Sequence, residues 1–201
     1  MANEPICFVK AGGEKTLQLF TVGHSNYPYE EFLSLLKAFE IGTVADVRRY
    51  PSSRKFPHFN GDVLCKHLDK EDIRYVWLEA LGGHRRTGKN DESLNVGLKS
   101  PGFRNYADHM ASDEFRKAVK ELLSTASALR TAMMCAEKFY WKCHRMFLSD
   151  YLITQGIEVT HILGPDRLCV HKLTSAAVVT ADATVVYPSQ SVDKTNGRKA
   201  F

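Results

Sequence analysis

No stretch of the 201 residues approaches the roughly 18 uninterrupted apolar residues of a membrane-spanning helix, so no membrane partner is expected. The opening MANEPICFVK lacks a basic flank followed by an apolar run; no secretory signal is expected, and the expected compartment is the cytoplasm. Cysteine is scarce. The five present (Cys7, Cys65, Cys135, Cys143, Cys169) are scattered and include no CxxC pair, which excludes a disulfide scaffold and leaves thiols or ligands. Internal repeats and low-complexity tracts are missing. Charge of one sign does not dominate either: 27 Lys and Arg against 23 Asp and Glu give +4, too little for a whole-molecule attraction to nucleic acid.

What is present suits one domain with a sizeable core, because 44% of residues are hydrophobic and 25% charged, close to the average for globular chains. Residues 1–15 and the polar 188–201 read as tails around a single α/β domain over 16–187. Short apolar runs predict strands at Leu17–Gly23, Thr43–Val47, Arg74–Leu78, Thr131–Ala136 and Ile157–Leu163. Helical spacing predicts helices over Pro28–Glu40, Asp62–Asp72, the second half of Phe103–Ala128, and His144–Gly156. Leu168–Leu173 and Thr184–Tyr187 add a small β element near the C-terminus. Strand and helix alternating with short links predict a three-layer, open, mainly parallel sheet with helices on both faces.

In such sheets functional groups collect in the loops after the carboxyl ends of the strands. Those loops carry His24-Ser25-Asn26, then Asp46-Val47-Arg48-Arg49 and its extension to Asn60, then Glu79–Lys89, then Cys135–Arg145. The positive charge sits there. Arg48, Arg49, Arg54 and Lys55 occur without an acid in 48–60, Arg85, Arg86 and Lys89 without one in 84–90, and Lys138, Lys142 and Arg145 without one in 138–145, leaving the remainder of the chain net negative. Gathered on one sheet edge, these cations repel unless an anion relieves them; each charge-assisted bond is worth roughly 1.5–3 kcal/mol, so a few would hold a phosphate. Arg48, Arg49, Arg54, Arg85, Arg86, Arg145 and Ser25 are therefore the expected anion-binding residues. Arg48 and Arg145 are expected to be removable with little loss of stability.

Asp46 could orient an arginine, act as a base or hold a metal through oxygen. His24 is less easily explained as a helix cap than Ser25 or Asn26, because imidazole caps poorly. A cysteine near pKa 8.5 is only a few per cent thiolate at neutral pH, and a helix N-terminus with a nearby arginine and imidazole could lower it; Cys135 or Cys143 would then serve as nucleophile. Against that, Cys135 follows Met133-Met134 in an apolar strand, and cysteine is often simply buried. Zinc needs four ligands, or three and water, at familiar spacings; seven residues separate Cys135 from Cys143, so no metal or other cofactor is expected. Phe139, Tyr140 and Trp141 between two lysines could stack on a base or merely pack.

TVGHSN, VADVRRYPSSRKFPHFN, IRYVWLEALGGHRR, MCAEKFYWKCHR and IEVTHIL, in that order, resemble the uncharacterised domain-of-unknown-function family 488, as do the later HKLT and VVYP. The resemblance runs from about Leu17 to Tyr187. It implies an α/β core, and that His24, Asp46, Arg48, Cys135, Glu137, Cys143, His144 and Arg145 matter, without assigning them roles. Asp46-Val47-Arg48 is also similar to the strand-end DVR of rhodanese-like domains. The tight Cys-to-Arg cradle of Cys-dependent phosphatases is absent, since nine residues separate Cys135 from Arg145.

The expectation is an enzyme of hydrolase or transferase type acting on a phosphorylated, nucleotide or nucleic-acid substrate in a basic cleft at the C-terminal edge of the sheet. Cys135, Glu137, His144, Asp46 and His24 are its candidate catalytic groups. The partner is an anionic small molecule or nucleic acid. Two alternatives stand beside it: a non-catalytic nucleic-acid or nucleotide-binding module, and a Cys/His redox or metal sensor.

Overall fold

Runs of four to seven residues rich in Leu, Val, Ala and Met are too short for helix faces, and they pair edge to edge in the computed structural model, which describes residues 8–9, 15–85 and 92–189. The strands are β1 (Gln18–Gly23), β2 (Thr43–Asp46), β3 (Arg74–Trp77), β4 (Thr131–Cys135), β5 (Glu158–Gly164) and β6 (Arg167–Val170). They form one sheet in the order β3-β2-β4-β1-β5-β6. Every neighbouring pair is parallel except β5 and β6, which run antiparallel.

The central strands are buried on both faces, which is why they read as continuous apolar runs. On one face α1 (Tyr29–Ala38) and α2 (Gly61–Asp69) press Phe32, Leu35, Leu36, Leu64 and Leu68 against Phe20, Val22, Val44 and Met134. On the other, α3 (Pro101–His109), α4 (Asp113–Ala128) and α5 (Arg145–Thr154) bring Tyr106, Phe115, Leu122 and Phe147 onto Leu19, Ala45 and Met133. The expected three layers are present.

Three details differ from the sequence reading. The first half of Phe103–Ala128, outside the expected helix, is helical too and belongs to α3, while the Ser112 hydroxyl accepts the Phe115 N–H and starts α4. Leu168 belongs to β6 and extends the main sheet, while Val178–Val179 and Val185–Val186 make a separate antiparallel pair. Phe8–Val9 pairs antiparallel with Lys15–Thr16, across the boundary expected at residue 15. Residues 190–201 of the expected C-terminal tail lie outside the described residues.

The order of connection positions the site. From β1 the chain moves out to β2 and β3, then returns to insert β4 between β2 and β1, and leaves on the other side to β5. The loops after β1 and β4 therefore lie side by side at a switch point of the sheet. They are zipped together: the His24 amide donates to the Cys135 carbonyl and the Ser25 amide to the Ala136 carbonyl, both at 2.9 Å. The join is tight enough to require glycine. A Cβ on Gly23 would lie 2.0 Å from the Glu137 carbonyl oxygen, a backbone atom that can move only with its loop.

Gly23→Ala is expected to cost about 3 kcal/mol, at the upper end for an overpacked site, measured by urea unfolding. An unchanged unfolding midpoint would show that the 137–138 loop is not held as described.

Candidate active site

A cleft of about 990 Å³ opens at the carboxyl edge of the sheet, where the loops after β1, β2, β3 and β4 converge. His24, Ser25, Arg48, Arg49, Cys135, Glu137 and His144 line it, joined by Lys55, Lys138, Lys142, Cys143 and Tyr106.

The floor is a cluster of two thiols and one imidazole. Cys135 ends β4, and Cys143 and His144 lead into α5; a single 3-10 turn at Tyr140–Lys142 folds the intervening loop back so that they meet. The Nε2–H of His144 donates to the Val47 carbonyl at 2.8 Å. That bond fixes the tautomer and turns the Nδ1 lone pair toward Cys143 Sγ at 3.5 Å and Cys135 Sγ at 3.9 Å. The three side chains are nearly enclosed, at 7%, 3% and 8% exposure for Cys135, Cys143 and His144. Gly83 keeps the imidazole uncovered, since a Cβ there would sit 2.9 Å from Nδ1.

The two sulfurs ionise as a pair. The hydrogen bond to Cys143, followed by burial, pushes the Cys135 thiol well up. Burial also opposes ionisation of Cys143, but the Cys135 bond together with His144 and Arg145 outweighs it and holds that thiol well below its ordinary value. The arrangement offers one thiolate beside an imidazole, or three adjoining soft and borderline metal ligands in Cys135, Cys143 and His144.

Other expected site residues turn inward. Asp46 is wholly buried and grips Arg48: Arg48 Nε donates to both carboxylate oxygens at 2.9 and 3.0 Å, and a terminal nitrogen donates to Oδ2 at 2.5 Å. The Tyr75 hydroxyl adds a bond to Asp46 at 2.7 Å. Arg48 in turn donates to His24 Nε2 at 3.2 Å, so that His24 keeps its proton on Nδ1, facing the Ser25 carbonyl. Burial, then the Arg48 charge, push the His24 pKa down to about 3, so its ring is neutral at physiological pH.

Arg145 is also internal, 1% exposed, and does not line the cleft. It donates to the carbonyls of Glu137 and Lys138 and to Thr21 Oγ1. From Thr21 a buried chain continues to His161 Nδ1 (2.7 Å), from His161 Nε2 to His171 Nδ1 (2.9 Å), and from His171 Nε2 to Asp150 (2.9 Å). Thr21 accepts from the guanidinium, so its own proton goes to His161, whose Nε2–H then faces His171. His161 is pushed down to about 2, by burial first and then by His171 and Arg145.

Arg85 turns back onto the carbonyls of Glu79, Ala80 and Gly82 and pairs with Glu114. Arg49 lines the cleft while pairing with Glu79 at 2.9 Å. Arg54 is exposed and outside the lining, and Arg86 lies outside the described residues.

Lys55, Lys138 and Lys142 reach the cleft without a carboxylate partner among the described residues. The charge count included all three, but nothing in the sequence separates a lysine facing a cleft from one facing solvent. Tyr106 was missed altogether: it packs 5.0 Å from the His144 ring and donates to the Leu81 carbonyl. Its position on α3 carries no signal beyond a helical apolar stripe.

A family model described as Domain of unknown function DUF488 matches residues 28–152, a span that includes every floor residue and begins just after His24. None of the curated proteins matches the chain.

Two outcomes follow from the internal pairs. Arg48→Ala leaves the Asp46 carboxylate buried without its cation and is expected to cost about 3–5 kcal/mol in urea unfolding, with the double Asp46→Leu, Arg48→Met variant losing less. A cost below about 1 kcal/mol for Arg48→Ala would contradict the pairing. His24 and His161 are buried neutral, with folded pKa values below the unfolded value of about 6.5, so the unfolded chain binds more protons. Stability should therefore be complete above that value and fall as pH drops from about 6.5 toward 3, by about 1.4 kcal/mol per pH unit for each ring. A pH series of unfolding curves on wild type and His161→Asn checks this; the variant should show the shallower acid limb.

Proposed function

The chain belongs to the DUF488 family, and from that premise and the site we propose that it is an enzyme of hydrolase or transferase type acting on a phosphorylated, nucleotide or nucleic-acid substrate. One observation carries the reading. The thiol–imidazole floor of Cys135, Cys143 and His144 opens into a cleft lined by Arg49, Lys55, Lys138 and Lys142, with Glu137 as its one carboxylate among the described residues. Reactive groups at the base and cations at the walls suit a substrate whose anionic part is held while a neighbouring bond is broken.

The division of labour follows from position. Lys55, Lys138 and Lys142 have no carboxylate partner among the described residues and are available to phosphate oxygens, and each bond is worth about 1.5–3 kcal/mol. Arg48 and Arg145 support the site from behind: the first through Asp46 and His24, the second through the loop that carries Glu137 and Lys138. His144 Nδ1 faces both sulfurs, and Glu137 is the carboxylate among the described cleft residues that could move a proton. Exposed aromatic surface favours a nucleotide over bare phosphate. Tyr50 lines the cleft at 66% exposure, and Phe139 stacks on Trp141 with centroids 4.6 Å apart.

The test is a turnover screen against phosphorylated metabolites, nucleotides and oligonucleotides, with matched binding measurements. Lys138→Ala and Lys142→Ala should each lower kcat/KM by about tenfold or more with unchanged unfolding midpoints. Cys143→Ala should abolish turnover and spare binding. Binding that falls log-linearly with salt, unaffected by Cys143→Ala and accompanied by no turnover of any compound, would establish the non-catalytic module in its place.

A further inference from the structure

The floor cluster has a geometry that a nucleophile with its base does not need. A Cys–His pair requires one sulfur. Here two sulfurs and one imidazole nitrogen face one another, every pair of ligand atoms within 4.8 Å, with no carboxylate in the group. We propose that Cys135, Cys143 and His144 bind one zinc ion, with a fourth coordination position open to the cleft.

The distances are near those zinc would impose. Bonds of about 2.3 Å to sulfur and about 2.0–2.1 Å to nitrogen place the tetrahedral N···S and S···S edges at roughly 3.6 and 3.8 Å. His144 Nδ1 lies 3.5 Å from Cys143 Sγ and 3.9 Å from Cys135 Sγ. Contraction of the remaining sulfur–sulfur edge, which is no longer than 4.8 Å, completes one face of the tetrahedron.

The surroundings are built for ligation as well. The second ring nitrogen of His144 donates to the Val47 carbonyl at 2.8 Å, the outer bond that fixes a ligating imidazole and increases its basicity. Gly83 leaves Nδ1 open on the cleft side, and all three ligands line the cleft. Two thiolates, a neutral imidazole and water form the donor set of an open zinc site, and thiolate with imidazole selects zinc over the harder divalent cations.

Binding is balanced in charge and protons. Two thiols surrender their protons to solvent, two sulfur–zinc bonds and one nitrogen–zinc bond form, no electron moves, and the centre is neutral overall. What the open position does rests on the enzyme reading above: a Lewis acid there would polarise a substrate oxygen or activate a water at the cleft floor, with Glu137 on the cleft wall to take the proton. The metal site itself does not depend on that reading.

The experiment uses the full chain, purified untagged without chelator. Elemental analysis should find about one zinc per chain. After stripping, Co²⁺ titration should give a sulfur-to-cobalt charge-transfer band and tetrahedral visible absorption, saturating at the same stoichiometry. Cys135→Ser, Cys143→Ser and His144→Ala should each weaken zinc binding by about 100-fold or more, whereas Cys65→Ser and Cys169→Ser should leave it unchanged. Folding defects in the variants are bypassed by native wild type, in which added zinc should protect Cys135 and Cys143, but not exposed Cys65, from alkylation read by mass spectrometry. No zinc at micromolar free metal, no protection, or equal effects of the Cys65 and Cys169 controls overturns the proposal. Turnover by a protein that takes up no zinc at micromolar free metal would overturn it and leave the enzyme reading in place. Stoichiometric zinc with no turnover would uphold it and remove the enzyme reading.

Discussion

A guanidinium with no carboxylate in ion-pair contact among the described residues sits at the centre of the molecule. Arg145 is buried under the loop after β4 and satisfies its charge with backbone carbonyls, Glu137 and Lys138, and with the Thr21 hydroxyl. An unpaired buried cation is costly, and these dipoles lower the cost only while they stay aimed at it. The loop is therefore not free to wander. Cys135 at its start and Cys143 at its end are held by the same constraint, and Gly23 on β1 lets the loop settle at a separation that a Cβ would forbid. The chain through Thr21, His161 and His171 to Asp150 links that cation to a buried carboxylate farther along the same helix, α5.

The second buried pair works differently. Asp46 and Arg48 are in direct contact, and their remaining hydrogen-bonding capacity goes to Tyr75 and His24. This pair sets the floor beside the cleft without offering its charge to it. Besides Arg49, the cations that face the opening are lysines on loops, and two of their ammonium groups lie over aromatic rings; Lys138 Nζ sits 5.3 Å from the Tyr27 ring centroid and Lys55 Nζ 5.3 Å from that of Phe56. Arginines build the scaffold and lysines meet the solvent. That division follows from the chemistry of the two groups: a planar fork can satisfy several fixed acceptors at once, whereas a compact, well-hydrated ammonium does best where water and a mobile anion can reach it.

Much of the fold was legible because burial leaves a period in the sequence. The β1, β2 and β4 runs carry apolar residues toward both faces because both are covered, and the α1 and α4 stripes match the residues that reach the core. The helix α3 was not legible, since it is short and buries only Tyr106 and Ala107 along its length. In the site, the residue types were visible and their directions were not. Charge counting places Arg48, Arg85 and Arg145 among the loop cations, but only packing decides that all three bond inward. Conversely, sequence separation treats Cys135 and Cys143 as distant, and the turn at Tyr140–Lys142, a local feature with no strong signature, brings their sulfurs together.

The same geometry explains why the reactive groups are enclosed and yet reachable. A floor made of strand-end residues is rigid, because each strand end is tied to its neighbour by backbone bonds: Val47 to Met134, His24 to Cys135, Leu78 to Asp46. Rigidity of that kind suits groups whose separations must be held to a few tenths of an ångström, as ligands or as a nucleophile with its base. The cations above them lie on loops, where precision matters less because attraction to an anion falls off slowly with distance. A substrate entering the cleft would meet its adaptable contacts first and its fixed ones last. Recognition would then be tuned by exchanging loop lysines without disturbing the strand ends, whereas changes at Gly23, Asp46 or Arg145 would reach the floor through the fold itself.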